Sequence, residues 1–152
     1  MSVFETERLV MRPWREDDAE NLYKYASDPA VGPAAGWPVH TSVEDSLRVL
    51  REVLIEDKTW AVTIKPSDES VGSIGVFRTD APNGNGAPEI GYWIGKPFWG
   101  CGYIPEAVRA LIDRCFNDGA ESVWCSHFAG NDKSRRVIEK CGFKFAVSMT
   151  VR

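Results

Sequence analysis

The chain has 152 residues, 43% of them hydrophobic, enough to bury one sizeable core and within the usual range of a single domain, here expected to span residues 1–152. Its formal net charge of −4 argues against a general nucleic-acid partner, because neutralising phosphates takes clustered Lys and Arg, whereas an acidic chain still suits a basic substrate. No apolar run is long enough for a membrane helix, and MSVFETERLV carries acidic residues where a signal peptide has a basic head and an apolar middle, so the expected compartment is the cytoplasm, with no membrane partner.

In chain order, RLVMRPW (Arg8 to Trp14) alternates polar and apolar residues as a half-buried strand does, and Arg15 to Ala26 has helical spacing at Ala19, Leu22, Tyr23 and Ala26. Asp28 to His40 is dense in Pro and Gly and reads as a loop. Thr41 or Ser42 then caps a helix carrying Val43, Leu47, Leu50, Val53 and Leu54. Thr59 to Lys65 and Ser70 to Thr79 are β-rich runs separated by PSDE, which predicts an antiparallel hairpin, and PNGNGAP leads to a fourth strand, EIGYWIG. The loop WGCGYI, residues 99 to 104, precedes a helix from Pro105 to Asn117 with Ala107, Val108, Leu111, Ile112, Cys115 and Phe116 on its apolar face. SVWCSH is a short fifth strand, Asn131 opens a helix that ends at Gly142, and Phe143 to Val151 is a final extended segment. The order β-α-α-β-β-β-α-β-α-β predicts an α/β fold with a mixed sheet.

Cys101, Cys115, Cys125 and Cys141 are widely separated and form neither a C-x-x-C pair nor a mixed Cys/His cluster, so no metal site and no disulfide framework is expected. His127 follows a short strand and reads as a satisfied polar residue rather than a base. Gly100 and Gly102 sit between a strand and a helix, where backbone N–H groups and the helix dipole favour an anion. The P-loop pattern is absent because no Lys-Ser or Lys-Thr pair follows, and the dinucleotide pattern is absent because a third glycine is missing. Two readings remain: turn glycines chosen for their freedom at positive φ, or a loop whose amides from Trp99 to Ile104 converge on a pyrophosphate. A second signal is NDKSRRVIEKCGFKF, where a helix begins at Asn131 and carries Ser134 one turn later.

Together, ETERLVMRPW, DPAVGPAAGWP, EIGYW, W-G-x-G-Y-x-x-E-A and N-x-x-S-R-R-V-x-E-K-x-G-F resemble the GNAT superfamily of acetyl-CoA-dependent N-acetyltransferases over almost the whole chain. They are most similar to the Rim-type branch, which includes enzymes acting on the N-termini of ribosomal proteins. The resemblance implies the acyl-CoA N-acyltransferase fold, with the fourth and fifth strands splayed. It implies that backbone amides of Trp99, Gly100, Cys101, Gly102, Tyr103 and Ile104 hold the pyrophosphate of coenzyme A. Tyr92, Trp93 and Ile94 would offer their backbone to the pantetheine arm, as a sheet edge receives an added strand. Asn131 and Ser134 would meet the pantetheine and the thiol end, and Trp37 and His40 would line the substrate mouth.

The acceptor amine must be neutral to attack a thioester, yet an α-amine has a pKa of about 7.7 to 8 and a lysine about 10.4, so a base is needed. Glu89, just ahead of the splayed strand, is the candidate, acting directly or through water, and Ser134 is the candidate donor to the departing thiolate. The expected acceptor is a protein or peptide N-terminus. The rivals are a free small amine such as a polyamine, an antibiotic or an amino acid, and a CoA-binding module without catalysis. Three positions depart from the family pattern: Trp99 in place of Arg or Gln, Ile104 in place of a small residue, and Ile138 where many members carry a tyrosine general acid. Relatives continue through a seventh strand, so a shortened C-terminal strand region and an unpaired edge are expected here. A homodimer or higher oligomer follows from that expectation, with Lys144 to Val151 pairing with, or exchanging into, the sheet of another chain.

Overall fold

Leu9 and Met11 are fully buried in the strand Leu9–Pro13, as the alternation of RLVMRPW requires. The structure, a computed structural model, describes residues 3–35, 37–55, 58–127 and 131–146. Its six strands are β1 (Phe4–Glu5), β2 (Leu9–Pro13), β3 (Thr59–Ile64), β4 (Gly72–Arg78), β5 (Pro88–Ile94) and β6 (Trp124–Cys125). They lie side by side in chain order, antiparallel from β1 through β5 and parallel between β5 and β6, so the sheet is mixed.

The helices are α1 (Ala19–Ala26), α2 (Gly32–Ala35), α3 (Val43–Val49), α4 (Tyr103–Asn117) and α5 (Asp132–Lys140). Ala61 of β3 faces α1 and α3 and packs with Trp14, Leu22, Ala26 and Leu50. Its neighbour Val62 points the opposite way, into a core shared by Leu9, Met11, Ile74, Ile90 and the α4 residues Ala107, Val108 and Leu111. Each fully buried aliphatic side chain stabilises the fold by roughly 1.5–3 kcal/mol. A buried ion pair fixes the turn from β2 into α1: Arg12 donates to both Asp18 oxygens at 2.8 and 2.9 Å and to Asp68 at 2.8 Å.

The predicted β3–β4 hairpin, the helix after residue 102 and the helix opened by Asn131 are all present. Ser42, not Thr41, caps α3, accepting from the Asp45 N–H at 3.0 Å. Four features differ from the sequence reading. The Pro/Gly-rich stretch contains the helical turn α2, where Pro33 presets a helical φ. α3 widens into a π-turn over Leu50–Leu54. SVWCSH shrinks to the two residues of β6, because a strand extends only as far as its ladder and β5 offers β6 two partners. The stretch Phe143 to Ala146 is not a strand, and the rest of the expected final segment, residues 147–151, lies outside the described residues.

Candidate active site

The fourth strand of the sequence reading is β5, since β1 precedes it, and its pairing with β6 is confined to Glu89 opposite Trp124 and Ile90 opposite Cys125. Beyond these two pairs the strands part. Backbone bonds from Gly95 N–H to Val71 and from Thr79 N–H to Ala87 fix which residues of β5 turn toward β4: the odd-numbered ones, Glu89, Gly91 and Trp93. The backbone groups of Tyr92 and Ile94 therefore face the gap left by β6, while those of Trp93 do not. The indole N–H of Trp99 donates to the Ile94 carbonyl at 3.0 Å, which brings the following loop to the head of the gap.

Gly100 and Gly102 both have left-handed backbones, with φ of 77° and 81°, and Gly102 is the residue from which α4 starts. A side chain at Gly100 would meet no atom within 4 Å, so the loop presents open space there. Ile104, the unusual residue at the end of the loop, is buried and joins the core beneath it. Arg8 holds the loop from below. It donates to Glu106 at 2.8 Å and to the Cys101 carbonyl at 3.0 Å, and it lies 4.5 Å from the centre of the Tyr103 ring. Across the gap, the Lys133 ammonium sits 4.1 Å from the centre of the Trp99 indole. Exposed Cys101 has its thiol 3.8 Å from the Trp99 carbonyl.

Glu89 stands where the two strands begin to part. Thr79 donates to one carboxylate oxygen at 2.9 Å, and Ser126, just past β6, donates to the other at 3.3 Å. Along the same face of β5 lies Trp93, packed against Trp14 and Trp37 with ring centres 6.4 and 5.6 Å apart. Trp37 in turn contacts His40 at 5.2 Å. His40 is itself buried, with Nδ1 2.8 Å from Ser46 Oγ, and burial pulls its pKa down. Phe77 stands opposite Glu89, and its ring lies across Gly75 and Gly91: side-chain carbons built at these glycines would come within 3.2 and 2.8 Å of it. The Phe77 side chain is about half exposed.

The other face of β5 carries Tyr92, whose hydroxyl is 2.5 Å from Ser134 Oγ on α5. Asn131 caps that helix by accepting from the Ser134 N–H at 3.2 Å. The gap thus brings together Tyr92, Ile94, the 99–104 loop, Asn131 and Ser134, with Glu89 at its apex. Trp37 and His40 belong to an aromatic cluster on the face toward α1 and α3. Sequence reasoning missed the contacts of Arg8, Ser126 and the Tyr92 phenol, because each joins residues far apart in the chain, and that of Thr79, because it meets Glu89 only across the β4–β5 ladder.

The acetyl donor fits this arrangement. The left-handed Gly100, bordering open space, leaves room for phosphates to approach backbone N–H groups, and a strand edge turned toward a gap offers bonds to an extended amide chain. Among the described residues, no group of three or more His, Cys, Asp or Glu is placed to hold a metal ion, and no helix is long and apolar enough to cross a membrane.

The family model described as the acetyltransferase (GNAT) domain matches residues 8–144. An uncharacterized N-acetyltransferase of Bacillus licheniformis is 34% identical over 121 residues, which cover 76% of this chain and 67% of that protein. The ribosomal-protein-serine acetyltransferase of Escherichia coli (strain K12) is 29% identical over 69% of this chain and 52% of its own length. The crystal structure of a GNAT-family acetyltransferase from Bacillus anthracis superposes with a TM-score of 0.78 at 24% identity, covering 94% of this chain and 84% of that one. With the splayed strands and the glycine loop in place, these matches settle the family: the chain belongs to the GNAT acetyltransferases and is an acetyl-CoA-dependent N-acetyltransferase.

Proposed function

We propose that the chain acetylates the α-amine of a peptide or protein N-terminus at the point where β5 and β6 part. The observation that carries this reading is the position of Glu89 there, its carboxylate held between Thr79 and Ser126. Acetyl-CoA supplies a thioester carbonyl for the amine to attack. The backbone amides of residues 99–104 receive the pyrophosphate, and Tyr92, Ile94 and Asn131 align the pantetheine arm. Glu89 takes the proton that the incoming amine must lose, directly or through water. Ser134 donates a hydrogen bond to the departing sulfur, and an amide N–H of β5 stabilises the charge on the carbonyl oxygen.

Two observations support a peptide acceptor. The E. coli relative carries the name of a ribosomal-protein acetyltransferase. The half-exposed Phe77 ring beside Glu89 offers an apolar surface that a peptide chain would cover and a small charged amine would not. Thiol release from acetyl-CoA with N-terminal peptides, lysine peptides and small amines tests the reading. Turnover with peptides whose N-terminus is free, lost when that terminus is blocked, is the expected result. Turnover confined to small amines would overturn the acceptor, and CoA binding without turnover on any amine would overturn the catalytic assignment.

The assembly we propose is a homodimer. Among the described residues the sheet ends at β6, and an open strand edge is a surface on which a second chain can pair. Light scattering coupled to size exclusion is expected to return twice the monomer mass at micromolar concentration. A monomer mass would remove this assignment and leave the catalytic one intact.

A further inference from the structure

Tyr92 reaches α5 from the strand that borders the gap, and two of its contacts converge on one residue. Its hydroxyl lies 2.5 Å from Ser134 Oγ and 3.3 Å from the Ser134 carbonyl. A hydroxyl has one proton to give, and the shorter contact identifies Oγ as its main partner. Two arrangements of that contact are possible: the serine gives its proton to the phenol, or the phenol gives its proton to the serine. In the second, Ser134 Oγ is already an acceptor and its own O–H is left to point elsewhere. The phenol holds the better proton to give, because an aromatic hydroxyl is the stronger acid of the two. Burial nevertheless pushes its pKa up to about 12, partly offset by the contact with Ser134, so it stays protonated at any working pH.

From this geometry we infer that Tyr92 is a positioning residue, which donates to Ser134 Oγ and thereby turns the serine O–H toward the sulfur that leaves. The inference rests on the role proposed for Ser134. The backbone and the side chain of Tyr92 then serve the same event from two sides: the main chain faces the gap while the phenol fixes a donor on the opposite wall. No proton leaves Tyr92. The serine retains its own proton and lends it as a hydrogen bond while the carbon–sulfur electron pair moves onto sulfur. Asn131 completes the arrangement by fixing the backbone of Ser134 through the 3.2 Å cap, so that the side-chain torsion is what the phenol controls.

A double-mutant cycle of Tyr92→Phe and Ser134→Ala, read by steady-state kinetics and by calorimetry with CoA, tests this. Tyr92→Phe is expected to lower kcat about tenfold with KM for acetyl-CoA within about twofold, and to have no further effect on kcat once Ser134 is alanine. An equal loss in both backgrounds would make the tyrosine a scaffold residue and overturn the inference, as would a parent-like kcat for Tyr92→Phe. Failure of Tyr92→Phe to bind CoA with parent affinity would overturn it too, since a positioning role leaves the cofactor site intact. A parent-like kcat for Ser134→Ala would remove the role of Ser134 itself. Impairment of Ser134→Ala beside an unimpaired Tyr92→Phe would remove only the inference made here.

Discussion

Arg8 and Glu106, 98 positions apart in sequence, meet at 2.8 Å and join the start of β2 to the first turn of α4. The same guanidinium reaches the Cys101 carbonyl, so removing it frees the loop that would receive phosphates. Arg8→Ala is expected to raise KM for acetyl-CoA roughly two- to tenfold with little change in kcat. Burial alone would raise the Glu106 carboxyl pKa, but hydrogen bonds from Thr6 and Arg8 outweigh it and hold the group below the ordinary carboxylate range. The tie should therefore persist as pH falls to about 4.3 and weaken below that, as pH passes through the lower folded value. CoA titrations of parent and variant across this range check both statements, and equal affinities at neutral pH would show that Arg8 does not support the loop.

Gly102 begins α4 with a φ of 81°, where a β-branched residue is strained by more than the roughly 1–2 kcal/mol that an ordinary side chain costs. A side chain there would also come within 3.4 Å of the Arg8 guanidinium. Gly102→Val should weaken CoA binding at least tenfold in a protein that still unfolds cooperatively. An unchanged dissociation constant would take the loop out of the cofactor site.

Glu89→Gln keeps the contact with Thr79 available but removes the base. The rate should fall most at low pH, where the acceptor amine is protonated, and the defect should shrink as pH rises and the amine loses its proton unaided. CoA affinity should be unaffected. Superimposable pH–rate profiles for parent and variant would end the assignment of Glu89 as base.

Burial lowers the pKa of His40, with Asp45 opposing the shift and Arg48 adding to it. A base whose folded pKa lies below its unfolded value contributes stability above that unfolded value, about 6.5. The contribution is lost as pH falls from there through the lower folded pKa. His40→Gln should therefore flatten the fall in unfolding free energy between neutral and mildly acidic pH, as read by denaturant titration. Parallel curves for parent and variant would show that another group governs that range.

What the sequence made legible is what local pattern encodes. Alternation at Leu9 and Met11 marks β2, helical spacing marks α4, and Asn131 three residues before Ser134 marks a capped helix. The glycines at 100 and 102 announce their left-handed backbone because few other residues accept it. Less legible were features whose cause lies across the chain. β1 is a strand only because Phe4 meets Met11, and the length of β6 depends on where β5 turns away. The pairings of Arg8 with Glu106 and of Tyr92 with Ser134 leave no trace in either local stretch, although each of these residues lies inside a motif that could be read. The roles implied for Trp93 and His40 came from position alone. Which way a backbone faces, and whether a ring is covered, depend on ladder parity and on packing against α3.

The distribution of thiols gives the protein a built-in chemical reporter. Cys115 is buried and Cys125 and Cys141 are half-buried, and burial pushes all three thiols up, Cys125 to about 12, so they offer little thiolate to an attacking reagent. Cys101 alone among the four is exposed, and it lies between the two glycines of the loop. A disulfide reagent used to count released CoA will therefore meet the Cys101 thiol before the other three, so enzyme-only controls are needed beside every progress curve. Because Cys101 sits within the loop, comparing its labelling rate with and without CoA tests whether the loop receives the cofactor, in the absence of any acceptor or turnover.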